Sequence, residues 1–212
     1  MDLRGYGLAR DVPGDFGVEE ISADSIALAS ALGWDRFHVI GHSMTGLAAQ
    51  RMAADAASRV TSAVAVCPMS AAGSPVDAAT RTFFASTTHD DDAFCRLMCF
   101  VSGGPEHGLG DGWLEERLRH CRTSVNPACR EAYLRMFTQA DFATDVRGAS
   151  TPFLTVVGDR DPGIDEAAMR RTFLDWYPNA RLEVIPNCGQ SPMHAFPPDF
   201  VRRIERFLLE HV

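Results

Sequence analysis

No run of apolar residues in this 212-residue chain approaches the ~20 that a bilayer-crossing helix requires. No basic-then-apolar leader follows Met1, so no export signal is read and the cytoplasm is the expected compartment, with no membrane partner. The 20 Lys and Arg residues form no cluster that would track a phosphate backbone, and the net charge of −8 argues further against a nucleic-acid partner. No C-x-x-C pair occurs among Cys67, Cys95, Cys99, Cys121, Cys129 and Cys188. Cys95 and Cys99 stand one helical turn apart, but no histidine or second pair completes a tetrahedral set around them, so no metal is expected. The six thiols read as free and buried, since cysteine packs as a small hydrophobe. Internal repeats and low-complexity tracts are also missing. What remains is an ordinary soluble composition, 46% hydrophobic and 23% charged, in a mass of 23.2 kDa that suits one domain with at most a small inserted subdomain.

Along the chain, Asp2 to Gly17 carries glycines with little periodicity and reads as a loop. Val18, Ile21, Ser25, Leu28, Ala29 and Leu32 recur at helical spacing, with Gly33 as the stop. Phe37 to Ile40 reads as a buried parallel strand, Thr45 to Ala57 as a helix, and Val60 to Cys67 as a second buried strand ended by Pro68. From Met69 to Ser150 the strand–helix alternation stops and capped helical segments replace it. Asp90 leads into Phe94, Leu97 and Met98; Asp111 leads into Trp113, Leu114 and Leu118; Asn126-Pro127 supplies a cap and an N1 proline before Tyr133 and Phe137. The alternation resumes with a strand at Phe153–Val157, a helix over Asp165–Trp176 capped by Asp165, a strand at Arg181–Ile185, and an amphipathic helix from Phe200 to Leu209. A βαβ series with one helical excursion predicts an α/β parallel sheet flanked by helices with an inserted helical lid. The expected division is residues 1–68 and 151–212 for the core and 69–150 for the lid.

The segment Gly41-His42-Ser43-Met44-Thr45-Gly46 follows a strand and opens a helix. Small residues around the serine allow a sharp turn that exposes its hydroxyl, and the helix N-terminus offers N–H groups to a developing oxyanion. A serine acting only as a helix N-cap shares that pattern. Here the sequence resembles the α/β-hydrolase family of the lidded esterase and lactonase type, along its whole length. Asp2-Leu3-Arg4-Gly5-Tyr6-Gly7 is similar to the family's D-x-R-G-x-G loop, and GHSMTG to its G-H-S-M-G-G elbow, with Thr45 crowding the turn where the pattern has glycine. Gly158-Asp159-Arg160-Asp161 is similar to the family's G-x-x-D, which selects Asp161 as the acid and leaves Asp159 as runner-up.

The catalytic histidine belongs in Pro186-Asn187-Cys188-Gly189-x-Ser191-Pro192, and x is Gln190. Glutamine can donate to Asp161 and accept from Ser43, which would keep the hydrogen-bonded chain, but it cannot take up the serine proton near neutral pH. His194 would reach the site only if its loop refolded. The His42 side chain should point away from the serine, and His38, His89, His107, His120 and His211 read as lid, strand or surface residues.

The resemblance implies a hydrolase of small apolar esters, thioesters or lactones, without a cofactor. Ser43 would be the nucleophile, Asp161 the acid, Gln190 the residue at the histidine position, and the Met44 N–H the oxyanion donor. His42, Met193 and His194 would line the substrate. A non-catalytic small-molecule-binding protein and an inactive gene fragment remain the alternatives. The resemblance also implies that the family's first strands and its His-Gly oxyanion loop lie outside this chain. The strand at Phe37–Ile40 is then expected at a sheet edge, open to pairing with a second copy.

Overall fold

The computed structural model describes residues 1–105 and 108–212; the reading made for His107 lies outside them. The first residues form a loop with one 3-10 turn at Gly7–Ala9. Then come α1 (Val18–Ala31), β1 (Phe37–His42), α2 (Met44–Asp55) and β2 (Val60–Val66). Helices α3 (Ala78–Ser86), α4 (Asp91–Val101), α5 (Asp111–Ser124), α6 (Pro127–Thr138) and α7 (Ala143–Val146) follow before β3 (Phe153–Gly158). The chain closes with α8 (Glu166–Met169), β4 (Ala180–Ile185), α9 (Pro192–Ala195) and α10 (Pro197–Leu209).

The four strands pair in parallel in the order β1-β2-β3-β4. β2 and β3 are buried almost throughout, which is why both are continuous apolar runs. Their core also takes Phe94, Cys121, Val125, Cys129, Tyr133 and Phe142 from the helical excursion, so those helices share the hydrophobic centre of the sheet. Asp90 and Asn126 cap α4 and α6 through their side chains, accepting from Ala93 N at 2.9 Å and Ala128 N at 3.0 Å.

The helix expected over Asp165–Trp176 is not continuous. After α8 the backbone widens into a π-helical stretch, Arg170–Leu174. Two features account for it. The Thr172 hydroxyl donates to the Ala168 carbonyl at 2.8 Å and competes for an acceptor of the regular ladder. The widened turn also seats Phe173 against Phe153 and Tyr177, with ring centroids 5.8 and 5.4 Å apart.

β1 occupies one edge of the described sheet, and Ile40 is 54% exposed there. In a parallel strand alternate residues turn their backbone groups to opposite neighbours. The Phe37 N–H bonds Arg59 O just before β2 and the Ser43 N–H bonds Val66 O, so the backbone groups of His38, Ile40 and His42 face outward. At His42 the edge is closed from within: the Thr45 hydroxyl accepts from His42 N at 2.8 Å and donates to His42 O at 3.0 Å. Thr45 was expected to crowd the turn. Instead it completes the hydrogen bonding that the glycine of the family pattern would leave open.

The D-x-R-G-x-G loop is held by its own named residues. Asp2 accepts from Leu8 N at 2.8 Å, and Arg4 pairs with Asp24 of α1 at 2.7 and 2.9 Å. Gly5 has φ +83°, and a Cβ there would lie 2.5 Å from Cys129 Sγ. The loop is tied to the excursion by Asn126 N–H donating to Gly5 O at 2.8 Å and Tyr133 OH donating to Arg4 O at 2.7 Å.

Candidate active site

A parallel sheet presents all its strand C-termini at one edge, and ligand sites of open α/β sheets lie there. Ser43 follows β1, Asp161 follows β3, and Gln190 follows β4, so the topology brings the three expected catalytic positions to that edge. Cys67, at the end of β2, lies between them.

Ser43 has φ 52° and ψ −114°, a conformation that non-glycine residues rarely adopt. The turn is held by Ser43 N–H donating to Val66 O at 2.8 Å and by Gly46 N–H donating to Ser43 O at 3.0 Å. A Cβ on Gly41 would lie 2.0 Å from the Thr45 carbonyl oxygen, so only glycine fits two residues before the serine. Ser43 occupies the N-cap position of α2, yet its side chain makes no capping bond. A serine present only as a cap would bond the N–H of the first turn. This hydroxyl is instead held out on a strained backbone, as a nucleophile elbow requires. Ser43→Gly should therefore stabilise the fold by about 1 kcal/mol, raising Tm by roughly 2–4 °C; an unchanged or lower melt would show that the turn is unstrained.

Asp161 is 5% exposed. Its Oδ1 accepts from Gly163 N at 2.9 Å and Ile164 N at 3.0 Å, which fixes the carboxyl plane. Oδ2 is buried with no hydrogen-bond partner among the described residues. Burial pushes the Asp161 pKa above its ordinary 3.8, and the two backbone donors and the Cys67 thiol oppose that shift. Because the folded form holds its proton more tightly than the unfolded chain, this group's contribution is fully present below about pH 4 and is lost as pH rises through the raised folded value. The Tm difference, Asp161→Asn minus wild type, should be more positive at pH 7 than at pH 4; a constant difference would contradict the raised pKa. Asp159, the runner-up acid, is exposed and accepts from Cys188 N at 3.3 Å, tying the two loops together.

Gln190 does not bridge Ser43 and Asp161 as its chemistry would allow. Its backbone is committed on both sides, N–H to the Val101 carbonyl at 2.9 Å and carbonyl to His42 Nε2 at 2.7 Å. From that fixed origin the half-buried carboxamide makes no hydrogen bond to any described residue, Asp161 Oδ2 included. The His42 ring thus clamps the loop after β4. Burial lowers its pKa, so it serves as a neutral donor near pH 7. His194 is exposed on α9, where its Nδ1 accepts from Trp113 Nε1 at 3.3 Å and the two rings meet edge-on at 6.0 Å. Met193 packs partly buried against the core. The Met44 amide opens α2, where the first N–H groups lack helical acceptors.

Three contributors escaped the sequence reading. Cys67 has φ 41°, is fully buried, and faces Asp161; burial, and after it the Asp161 charge, push the thiol pKa well up. Val101 and Ser102 end α4 directly on the loop after β4, so close that a Cβ on Gly189 would lie 2.2 Å from the Ser102 carbonyl carbon. Nothing short-range in the sequence announces either contact. Cavities of about 320 and 310 Å³ lie against α6, the first bounded by Phe16 and Phe142 and the second by Arg81 and Leu134; neither is lined by Ser43, Asp161 or Gln190. Among the described residues, no helix is long and apolar enough to cross a membrane.

Residues 1–204 match the family model described as the alpha/beta hydrolase family. The chain belongs to that family. This hydrolase is 28% identical to the pimeloyl-[acyl-carrier protein] methyl ester esterase of Nitrosomonas europaea, over 95% of this chain and 81% of the relative. Among solved structures it resembles a bromoperoxidase from Bacillus anthracis with TM-score 0.84 at 18% identity, covering 97% of this chain and 79% of that one. It also resembles Est816, described as an N-acyl homoserine lactone degrading enzyme, with TM-score 0.81 at 22% identity, covering 96% and 80%. At those identities the two structures establish the fold of the hydrolase and no more.

Proposed function

We propose that this hydrolase descends from serine esterases acting on carboxylic esters, thioesters or lactones through an acyl-Ser43 intermediate, and that its turnover is near background because Gln190 stands in place of the general base. The observation that carries the reading is the presence, at one sheet edge, of a strained, uncapped serine and a fixed buried carboxyl whose second oxygen makes no hydrogen bond to a described residue. That oxygen is where the N–H of a catalytic imidazole would bond. In this reading the Met44 amide stabilises the oxyanion, and the helical excursion with Trp113, Met193 and His194 forms an apolar lid over a small substrate. His42 holds the loop that carries position 190.

Members of a catalytic unit lose activity together, so deleting the serine from a chain already lacking its base should change little. With a chromogenic short-chain ester, wild type and Ser43→Ala should agree within about tenfold. A fall of a hundredfold or more on removing the serine would reveal an unsuspected base and overturn the impairment. The second reading, a small-molecule-binding protein without turnover, is favoured by the same missing base; a ligand that raises Tm without yielding product would select it.

A further inference from the structure

We propose that Asp161 Oδ2 and the space held by the Gln190 side chain form a binding site for an azole of the imidazole class, supplied free or as part of the substrate, which carries out the proton transfer that residue 190 does not. The inference rests on the reading of Ser43 and Asp161 given above.

Three observations carry it. A buried carboxyl oxygen with no partner is an unmet acceptor, and its twin is locked by two backbone N–H groups, so it presents one fixed direction to an incoming donor. The titratable neighbours of the carboxyl are Cys67, Cys188 and Asp165; the Cys67 thiol favours the carboxyl's charged form, but a neutral S–H is a weaker donor than an azole N–H, and none of the three is a cation. The Gln190 carboxamide, carried at the same sheet edge as Asp161, bonds no described residue, so turning it outward breaks no hydrogen bond among them. The loop stays in place meanwhile, because its grip on Val101 and His42 runs through the backbone.

A neutral azole has one N–H and one lone pair on opposite sides of a small ring, which is what the gap between a carboxylate and a hydroxyl requires. Its N–H donates to Oδ2. As the Ser43 oxygen forms its bond to the acyl carbon, the serine proton passes to the azole lone pair. When the bond to the leaving oxygen breaks, that proton is delivered to the departing alkoxide. Water repeats the cycle against the acyl-serine, and Asp161 keeps its charge throughout.

The probes are imidazole and 1-methylimidazole, with 4-nitrophenyl acetate as ester and the protein-free rate subtracted. In Gln190→Ala, imidazole should raise hydrolysis about a hundredfold with saturation, and in wild type by a smaller factor. 1-Methylimidazole, which keeps the base but lacks the N–H, should give no gain. An ester bearing an imidazole ring, compared with its phenyl counterpart, separates a substrate-borne azole from a free one. Imidazole should also raise the Tm of Gln190→Ala but not of Gln190→Ala/Asp161→Ala, a readout that survives even if turnover is slow. Equal gains in Gln190→Ala/Ser43→Ala, or from 1-methylimidazole, overturn the proposal. If Gln190→His is active while imidazole is inert, the azole site fails and the hydrolase reading stands; if both are inert, both fall.

Discussion

Gln190→His should raise kcat/KM for a short acyl ester by about a thousandfold or more. The Gln190 backbone is already clamped between Val101 and His42, so the substituted ring starts from a fixed origin and need not recruit the loop. Its Nδ1–H can then meet Asp161 Oδ2, which makes no hydrogen bond to a described residue, and its Nε2 is left to accept from Ser43. Pairing that oxygen removes an unmet acceptor, so the variant should also gain stability. Its rate should rise with pH through the ordinary histidine range near ~6.5, a limb that wild type lacks. The measurement is a pH series of kcat/KM on wild type and Gln190→His with Ser43→Ala as control. A folded variant with no gain would remove Ser43 and Asp161 from their assigned roles.

Gly158→Ala should destabilise the fold by about 3 kcal/mol or more, lowering Tm by roughly 6–12 °C. The added Cβ would lie 2.0 Å from the Cys188 carbonyl oxygen and 2.5 Å from that of Gly189. Both are backbone atoms, so no rotamer change relieves the overlap; either β3 and β4 separate where Gly158 pairs with Ile185, or the loop carrying Gln190 lifts. Gly112→Ala is the control. A Cβ there meets nothing within 4 Å on α5, and the same chemical change should add about 0.5–1 kcal/mol. If Gly158→Ala melts within a degree of wild type, the strand end is not close-packed.

The legible parts of the sequence were those set by local chemistry. Gly33, Asp90, Asn126-Pro127 and Asp165 placed helix ends because caps and stops act over a few residues, and the apolar runs at Val60 and Phe153 became the two buried strands. The elbow and Asp161 were proposed by motif, and the structure adds what motif lacks: an uncapped Ser43 hydroxyl and a buried Asp161 oxygen without a hydrogen bond to a described residue. Reasoning from side-chain chemistry failed where contacts are remote. Nothing near Gln190 shows that Val101, 89 positions away by number, takes its N–H, so a glutamine able to bridge the site was expected to do so. The π-helical stretch after Met169 was missed for the same reason, being shaped by Phe153 and Tyr177 from elsewhere in the chain.

The seam between the first residues and α6 ties the helical excursion down unevenly. Gly5 and Arg4 are bonded to Asn126 and Tyr133, and the last residue of α4 is bonded to Gln190. Among the longer helices before α5, α3 alone buries no residue, so its amides should exchange with solvent ahead of those of α1, α2 and α4.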